Sequence, residues 1–160
     1  MTIQVGNPIP NSTIKQVTPD GFQDVNMEKL CKGKTIAIFA VPGAFTPVCS
    51  ATHLPGFNKV MDQFKSKGIE VACLSVNDPF VMKAWGDSTN SHPDMALLAD
   101  WDGQFTKAVG LEFDGSGAGL GVRSQRYSML VKDGVVTVLN IEDSTGVCDK
   151  SSADRLLKAI

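Results

Sequence analysis

The sequence predicts an α/β fold built on a mixed β-sheet, and three features of the chain lead to this prediction. Residues 35–40 and 69–76 are short, continuously apolar runs, which is typical of strands buried on both faces of a sheet. Residues 46–67 between them are compatible with a helix, so the three segments form a βαβ unit with parallel strands. Two further apolar segments flank a Lys-Asp-Gly turn and indicate an antiparallel hairpin: 127–131 and 135–139.

The other elements are predicted in order along the chain. Residues 1–24 are rich in turn formers and indicate short strands and turns at the amino terminus. Asp78 and Pro79 open a helix as its N-cap and first residue. One apolar face of this helix is expected to carry Phe80, Val81, Ala84 and Trp85. Residues 95–98 predict another strand, and residues 104–109 predict a short helix.

The carboxyl-terminal part completes the predicted fold. Ser151 is expected to open the last helix, because Asp154 three residues later completes a capping-box pattern. The glycines between residues 110 and 121 fit neither a phosphate-binding loop nor a dinucleotide-binding motif, and they predict a mobile connection. The resulting order indicates a thioredoxin-like fold: a central mixed sheet flanked by helices, with an N-terminal β extension. No repeat or low-complexity tract divides residues 1–160, which predicts a single domain.

Composition and charge exclude several classes of function. The chain has 160 residues, 42% of them hydrophobic, which is enough to bury a core. Its 15 basic and 17 acidic residues give a net charge of −2, which argues against a nucleic-acid partner. No apolar run approaches the roughly 18 residues of a membrane span, and the first residues lack the layout of a signal peptide. We therefore expect a cytoplasmic protein, or a mitochondrial or other organellar one if a presequence is missing.

The cysteines pose the main question about function. There are four, none of them in a CxxC pair: Cys31, Cys49, Cys73 and Cys148. This spacing argues against zinc-ribbon and thioredoxin-type motifs, and a reducing compartment would keep the side chains as thiols. Cys73 lies within a predicted buried strand and is expected to be inert, whereas Cys31 has no assigned function.

Cys49 lies where a reactive thiol is expected. It follows the first core strand and falls in the first turn of the next helix, with Thr46 as the N-cap candidate and Pro47 as the first helical residue. Unpaired backbone N–H groups and the helix dipole favour a thiolate at this position. Thr46 and Cys49 are three residues apart, so the hydroxyl and the sulfur can face one pocket. Pro55 is expected to kink this helix near Ala51.

Two other interpretations of these residues stay open at this point. Cys49 can equally be a small buried apolar side chain, which is a common role for an intracellular cysteine. His53, four residues after Cys49, suggests a metal pair or a Cys–His couple, but two ligands alone make a weak metal site. A capping or packing role for His53 is the favoured interpretation, and no cofactor or metal is expected.

Four segments of the chain are, together, similar to one protein family. They are residues 42–50 (PGAFTPVCS), 53–57 (HLPGF), 74–82 (LSVNDPFVM) and 123–131 (RSQRYSMLV). On these segments the chain resembles the peroxiredoxins, and among them the subfamily called type II in plants and type five in animals. The likeness runs from near Val5 to Ile160, and its Pro-x-x-x-Thr-x-x-Cys core is highly specific.

The resemblance implies a thiol peroxidase that reduces hydrogen peroxide and organic hydroperoxides. Cys49 corresponds to the peroxidatic cysteine, which attacks the O–O bond and becomes a sulfenic acid. Thr46 corresponds to the hydroxyl that holds the peroxide, and Pro42 to the residue that shields the pocket. Arg126 corresponds to the arginine that supports thiolate and peroxide, and Arg123 to a second arginine nearby. A guanidinium suits this task, because attack on O–O places negative charge on the leaving oxygen.

The resemblance also implies partners. Cys148 is expected to resolve the sulfenic acid as a Cys49–Cys148 disulfide that thioredoxin recycles. The alternative is a one-cysteine route in which glutaredoxin or glutathione attacks Cys49 directly. A different class of function, a redox-sensing interaction module that signals the oxidation of Cys49, is the rival hypothesis. A homodimer packed through the faces around Phe45 and Phe80 is implied as well.

Overall fold

The computed structural model describes residues 1–160 and contains a seven-stranded mixed sheet. Its strands are β1 (Thr13–Thr18), β2 (Gly21–Asn26), β3 (Thr35–Val41), β4 (Ile69–Ser75), β5 (Ala96–Ala99), β8 (Tyr127–Lys132) and β9 (Val135–Ile141). Across the sheet they lie in the order β2-β1-β5-β4-β3-β8-β9. A separate two-stranded ribbon pairs β6 (Glu112–Asp114) with β7 (Val122–Ser124). The helices are α1 (Met27–Cys31), α2 (Leu54–Lys59), α3 (Met61–Ser66), α4 (Pro79–Ser88), α5 (Gln104–Ala108) and α6 (Ala153–Lys158). None of these helices combines the length and apolarity that a bilayer crossing requires.

Strand pairing confirms the predicted βαβ unit and the predicted hairpin. β3 and β4 run parallel from Thr35↔Ile69 to Val41↔Ser75, and β5 continues the parallel set beside β4. β8 pairs antiparallel with β3, and β9 pairs antiparallel with β8. The expected amino-terminal extension is the β1–β2 hairpin, which joins the sheet through β5. The carboxyl ends of β3, β4 and β5 therefore meet at one edge, where catalytic groups gather in α/β sheets.

The sheet separates two apolar layers. Alternate residues of β3 belong to different layers, with Phe39 on one face and Ile38 on the other, as the two-residue period of a strand requires. Helices α2, α3, α4 and α6 cover the Phe39 face, and α1 and α5 cover the opposite face. On the first face, the rings of Phe39 and Phe57 stack with centroids 4.1 Å apart, and Phe64 continues the stack. Cys49 belongs to this layer.

The segment that follows β3 begins with an irregular helical turn. Residues Cys49–His53 form a π-helical turn, and the N–H of Leu54 bonds to the carbonyl of Cys49. Pro55 has no N–H to offer the carbonyl of Ala51, so the regular α-helical ladder cannot pass through this point. The distortion expected near Ala51 is thus a widened turn that contains Cys49 itself.

The predicted apolar face of α4 is wrong for two of its four residues. Asp78 caps the helix as expected and accepts from Val81 N–H, but the buried face comprises Pro79, Met82, Trp85 and Gly86. Phe80 is 70% exposed. At about 100° per residue, Met82, Gly86 and Pro79 lie within about 120° of Trp85 on one side of the helix axis, whereas Ala84 and Phe80 lie about 100° and 140° from Trp85 on the other side. They therefore cannot share its buried face.

The predicted cap of the last helix is wrong. The last helix is capped by Ser152, whose hydroxyl accepts from Arg155 N–H, and not by Ser151. The Ser151 hydroxyl instead donates to Glu142, which leaves the next serine to cap α6. Residues 110–121, predicted as a mobile connection, contain β6 and a short 3₁₀ turn, and β7 follows directly. This ribbon leads the chain to Arg126.

Candidate active site

The loop between β3 and Cys49 is tied to the neighbouring strand. Pro42 and Gly43 are buried, and Ala44 N–H donates to Asn77 Oδ1 at 3.0 Å. Asn77 follows β4, whose end lies beside the end of β3 because the two strands are parallel. Phe45 has a φ of 64°, a left-handed conformation that is costly for a bulky residue. The contact with Asn77 helps to hold the loop in this shape.

Thr46 occupies the expected cap position, but its hydroxyl has another partner. Thr46 precedes Pro47, the first helical residue, and its carbonyl accepts from Ser50 N–H. Its Oγ1 donates to the carbonyl of Gly43 at 2.7 Å. Because the hydroxyl proton is committed to Gly43, the lone pairs of Oγ1 can accept a hydrogen bond from a bound molecule.

The Cys49 sulfur contacts a buried cation. Cys49 is fully buried, and Arg126 Nη2 donates to its Sγ at 3.0 Å. A guanidinium at this distance favours the thiolate by charge and by hydrogen bonding. The neighbouring Ser50 Oγ accepts from the indole Nε1 of Trp85 at 2.9 Å, which fixes the turn from the other side.

Arg126 is itself 2% exposed and forms no ion pair. Its Nε and Nη2 donate to the carbonyl of Thr145 at 3.1 and 3.0 Å, and its Nη1 donates to His53 Nδ1 at 2.9 Å. All these partners are neutral. The positive charge therefore remains available to the Cys49 sulfur, the ionisable group to which Arg126 donates a hydrogen bond.

His53 is a neutral acceptor for Arg126. Its Nε2 lies 3.0 Å from the carbonyl of Ser151 and must donate to it, which leaves Nδ1 to accept from Arg126. Burial, and then the charge of Arg126, lower the pKa of His53 from 6.5 to about 3. The ring also packs on Phe39, with centroids 4.9 Å apart. His53 is thus more than a packing residue, and its lone pair is not free for a metal.

Arg123 lies beside the loop rather than against the sulfur. It is half-buried, and its Nε donates to the carbonyl of Leu120 at 2.8 Å. Its Nη1 lies so close to Gly43 that a Cβ built there would be 2.9 Å from it and 3.2 Å from Thr46 Cγ2. Of the two arginines singled out in the sequence, the structure brings Arg126 to Cys49 and Arg123 to the loop that carries Thr46.

The remaining cysteines are unpaired thiols. Cys148 is half-buried in the loop before α6, and it shares a cavity with His53 and Lys59. Burial raises the pKa of Cys148, while Arg126 opposes this shift. Cys73 is fully buried in the same apolar layer as Cys49, and burial raises its pKa well above the ordinary value. Burial also raises the pKa of Cys31 to about 11.

Three residues of the site carry no signal in the sequence. Thr145 and Ser151 act through their backbone carbonyls, which every residue type has, and so no pattern could single them out. Glu142 is a buried carboxylate that accepts from Ser151 and Asp149, although a glutamate in a polar stretch usually indicates a solvated surface.

The chain is similar to known sequences and structures over nearly its whole length. The Redoxin family model matches residues 4–157. Peroxiredoxin-2B of Arabidopsis thaliana is 46% identical over 160 residues, which cover 99% of this chain and 98% of that protein. The crystal structure of reduced Prx3 in complex with H2O2 from Vibrio vulnificus is 47% identical, with a TM-score of 0.92 over 99% of both chains. Peroxiredoxin 5 from Alvinella pompejana is 32% identical, with a TM-score of 0.86 over 98% of this chain and 97% of that one.

These likenesses extend over nearly the whole chain. They confirm the thioredoxin-like fold that the order of elements predicted. The chain therefore belongs to the peroxiredoxin family, in the type II and type five group, and is a thiol-dependent peroxidase.

Proposed function

We propose that Cys49 is the peroxidatic nucleophile, and the contact between its Sγ and Arg126 Nη2 at 3.0 Å is the observation that carries this assignment. The thiolate attacks one oxygen of the peroxide, the O–O bond breaks, and Cys49 becomes a sulfenic acid. The departing oxygen leaves as hydroxide or alkoxide and takes up a proton to form water or an alcohol. Arg126 stabilises first the thiolate and then the charge on the leaving oxygen. Cys49 is the only thiol with this contact, since Arg126 donates to no other sulfur.

The neighbouring residues suit supporting roles in the same reaction. The lone pairs of Thr46 Oγ1 accept a hydrogen bond from the peroxide O–H and hold the molecule in line with the sulfur. Pro42 is buried and has no N–H, so it shields the pocket without competing for the peroxide. Arg123 supports the loop that presents Thr46. Hydrogen peroxide is the substrate that fits best, because the Vibrio vulnificus relative binds it.

Cys148 is the proposed resolving cysteine. Its sulfur attacks the sulfenic sulfur of Cys49, a disulfide forms, and water leaves. A dithiol such as that of thioredoxin then reduces the disulfide and is itself oxidised. Cys148 is half-buried on a loop near Arg126, whose charge opposes the rise in the thiol's pKa. The alternative is that glutaredoxin or glutathione attacks Cys49 directly.

The exposed aromatic residues at the active-site edge suit an interface. Phe45, Phe80 and Trp101 are 55%, 70% and 55% exposed. They follow β3, β4 and β5 respectively, so all three lie at the carboxyl edge of the parallel strands. Such a cluster favours contact with a second copy of the chain beside Cys49. We propose a homodimer that uses this edge, in a reducing compartment such as the cytoplasm, where the four thiols would stay unpaired.

Replacement of the nucleophile tests the proposed function directly. Cys49→Ser is expected to lower peroxide turnover by roughly a thousandfold or more, since a serine hydroxyl cannot replace the thiolate. The measurement is peroxide consumption with an excess of dithiothreitol. Cys31→Ala is the matched control, because Cys31 is a buried thiol on the opposite face of the sheet. Wild-type turnover in Cys49→Ser would contradict the proposal.

A second substitution separates the two reductive routes. Cys148→Ser is expected to abolish turnover linked to thioredoxin while Cys49 still reacts once with peroxide, because only the resolving step is lost. Mass spectrometry after one equivalent of peroxide should show a Cys49–Cys148 disulfide in the wild type and a sulfenic acid in the variant. Undiminished thioredoxin-linked turnover would remove the internal disulfide from the mechanism. Recycling by glutaredoxin would then be the supported route.

The neutral state of His53 predicts how stability depends on pH. Its pKa is about 3 in the folded protein and near 6.5 in the unfolded chain, so the unfolded chain binds the extra proton between these values. The free energy of unfolding should therefore fall as the pH drops below about 6.5, by up to about 1.4 kcal/mol per pH unit from this residue. His53→Asn keeps an acceptor for Arg126 but does not titrate. Urea unfolding at pH 7 to 4 should give a shallower loss for this variant, and equal slopes would contradict the prediction.

The dimer interface is tested by charge insertion. Phe80→Asp is expected to convert the dimer to monomers in sedimentation velocity, because a carboxylate would be buried at the interface. Val135→Asp is the control, because Val135 lies at the opposite edge of the sheet. It pairs with Lys132, and Lys132 pairs with Thr35, the first residue of β3. A wild-type protein that is monomeric at micromolar concentrations would refute the proposal.

A further inference from the structure

Glu142 carries a buried carboxylate, which holds the far end of the loop formed by residues 143–151 against the residue that precedes this loop. It directly follows β9 and is 7% exposed, and its N–H donates to the carbonyl of Arg126 at 3.0 Å. Its Oε2 accepts from the N–H of Asp149, the N–H of Ser151 and the hydroxyl of Ser151, each at 2.7 Å. One oxygen therefore fixes the far end of the loop formed by residues 143–151.

These donors are the carboxylate's only polar partners. Glu142 forms no ion pair, and no side chain other than Ser151 bonds to it. A buried carboxylate is costly unless its lone pairs are satisfied, and three short hydrogen bonds meet that requirement. The loop and the carboxylate hold each other in place.

The same loop supplies the two carbonyls that orient the active-site cation. The carbonyl of Thr145 accepts from Arg126 Nε and Nη2, and the carbonyl of Ser151 accepts from His53 Nε2. His53 in turn accepts from Arg126 Nη1. Every protein group that holds the Arg126 guanidinium, apart from Cys49, thus belongs to this loop or is held by it.

We infer that Glu142 is a positioning residue for the peroxidatic reaction: it holds the 143–151 loop so that the Thr145 and Ser151 carbonyls aim Arg126 Nη2 at the Cys49 sulfur. The inference rests on the proposed roles of Cys49 and Arg126. It assigns to Glu142 no contact with the peroxide. Its effect is transmitted through two backbone carbonyls and one neutral imidazole.

Geometry, not charge, is what the carboxylate supplies. All three donors converge on Oε2, whereas Oε1 accepts no hydrogen bond. Glutamine can place its amide oxygen at the position of Oε2 and its NH₂ at the position of Oε1. Leucine has a similar size but no acceptor, and aspartate withdraws the oxygen by about one C–C bond, roughly 1.5 Å. Comparison of Glu142→Gln, Glu142→Asp and Glu142→Leu therefore separates the effect of the position of the acceptor oxygen from the effect of the carboxylate charge.

The experiment uses the full chain with Cys148→Ser, so that the outcome does not depend on the resolving step. Glu142→Leu is expected to lower the rate constant for a single reaction of Cys49 with hydrogen peroxide by about ten- to a hundredfold, as expected when a catalytic group shifts by about 1 Å. Glu142→Asp should also lower this rate constant, whereas Glu142→Gln should keep it within about threefold of the value for the parent protein. Stopped-flow fluorescence can follow the reaction, because Trp85 bonds to Ser50 beside the sulfur.

A second readout reports on the thiolate itself. The rate of Cys49 alkylation by iodoacetamide, measured against pH, should shift toward higher pH in Glu142→Leu, because a misplaced Arg126 favours the thiolate less. The profiles are compared by the pH of their midpoint and not by their absolute rate, because looser packing changes how fast iodoacetamide reaches the buried sulfur at every pH. Asp143→Ala is the matched control, since the exposed Asp143–Lys150 ion pair at 2.9 Å spans the same loop without touching the buried oxygen.

The outcomes are distinct. An unchanged rate and pH profile in folded Glu142→Leu or Glu142→Asp would overturn the inference, and so would a Glu142→Gln variant as impaired as Glu142→Leu. If Glu142→Leu does not fold, the Asp and Gln pair decides the question by the same criteria. Failure of the parent protein to react with peroxide would refute the proposed function instead, while the alkylation profiles would still test the positioning role of Glu142.

Discussion

The charge of Arg126 is the constraint on which the rest of the active site depends. Its guanidinium cannot lose its proton in a protein, and burial without an ion pair would be costly if its donors were not satisfied. The structure satisfies them with two carbonyl contacts, one neutral imidazole and the Cys49 sulfur. Because Arg126 forms no ion pair with a carboxylate, its charge is left to act on the sulfur that it contacts. The cation and the thiolate therefore support each other.

The sheet provides the frame that brings these groups together. Parallel pairing places the ends of β3 and β4 side by side, so that Asn77 can hold the loop that leads to Cys49. Antiparallel pairing of β8 with β3 brings the chain back to the same edge, and Arg126 directly precedes β8. The widened helical turn then sets both Cys49 and His53 toward Arg126.

A second layer of interactions comes from the loop before α6. This loop holds Arg126 and His53 by backbone carbonyls, and it also carries Cys148. The residue proposed to resolve the sulfenic acid thus lies on the segment that holds Arg126 and His53.

The sequence by itself determined the βαβ unit, the hairpin and the positions of Cys49, Thr46 and Arg126, because strand periodicity, helix caps and a specific motif are local properties. It misassigned the buried face of α4 and the cap of α6, since those depend on what packs against Phe80 and what binds Ser151. Only the tertiary structure decided that His53 is a neutral acceptor and that Glu142 closes a loop. Both roles arise from burial and from backbone carbonyls distant in sequence, which leave no pattern in residue types.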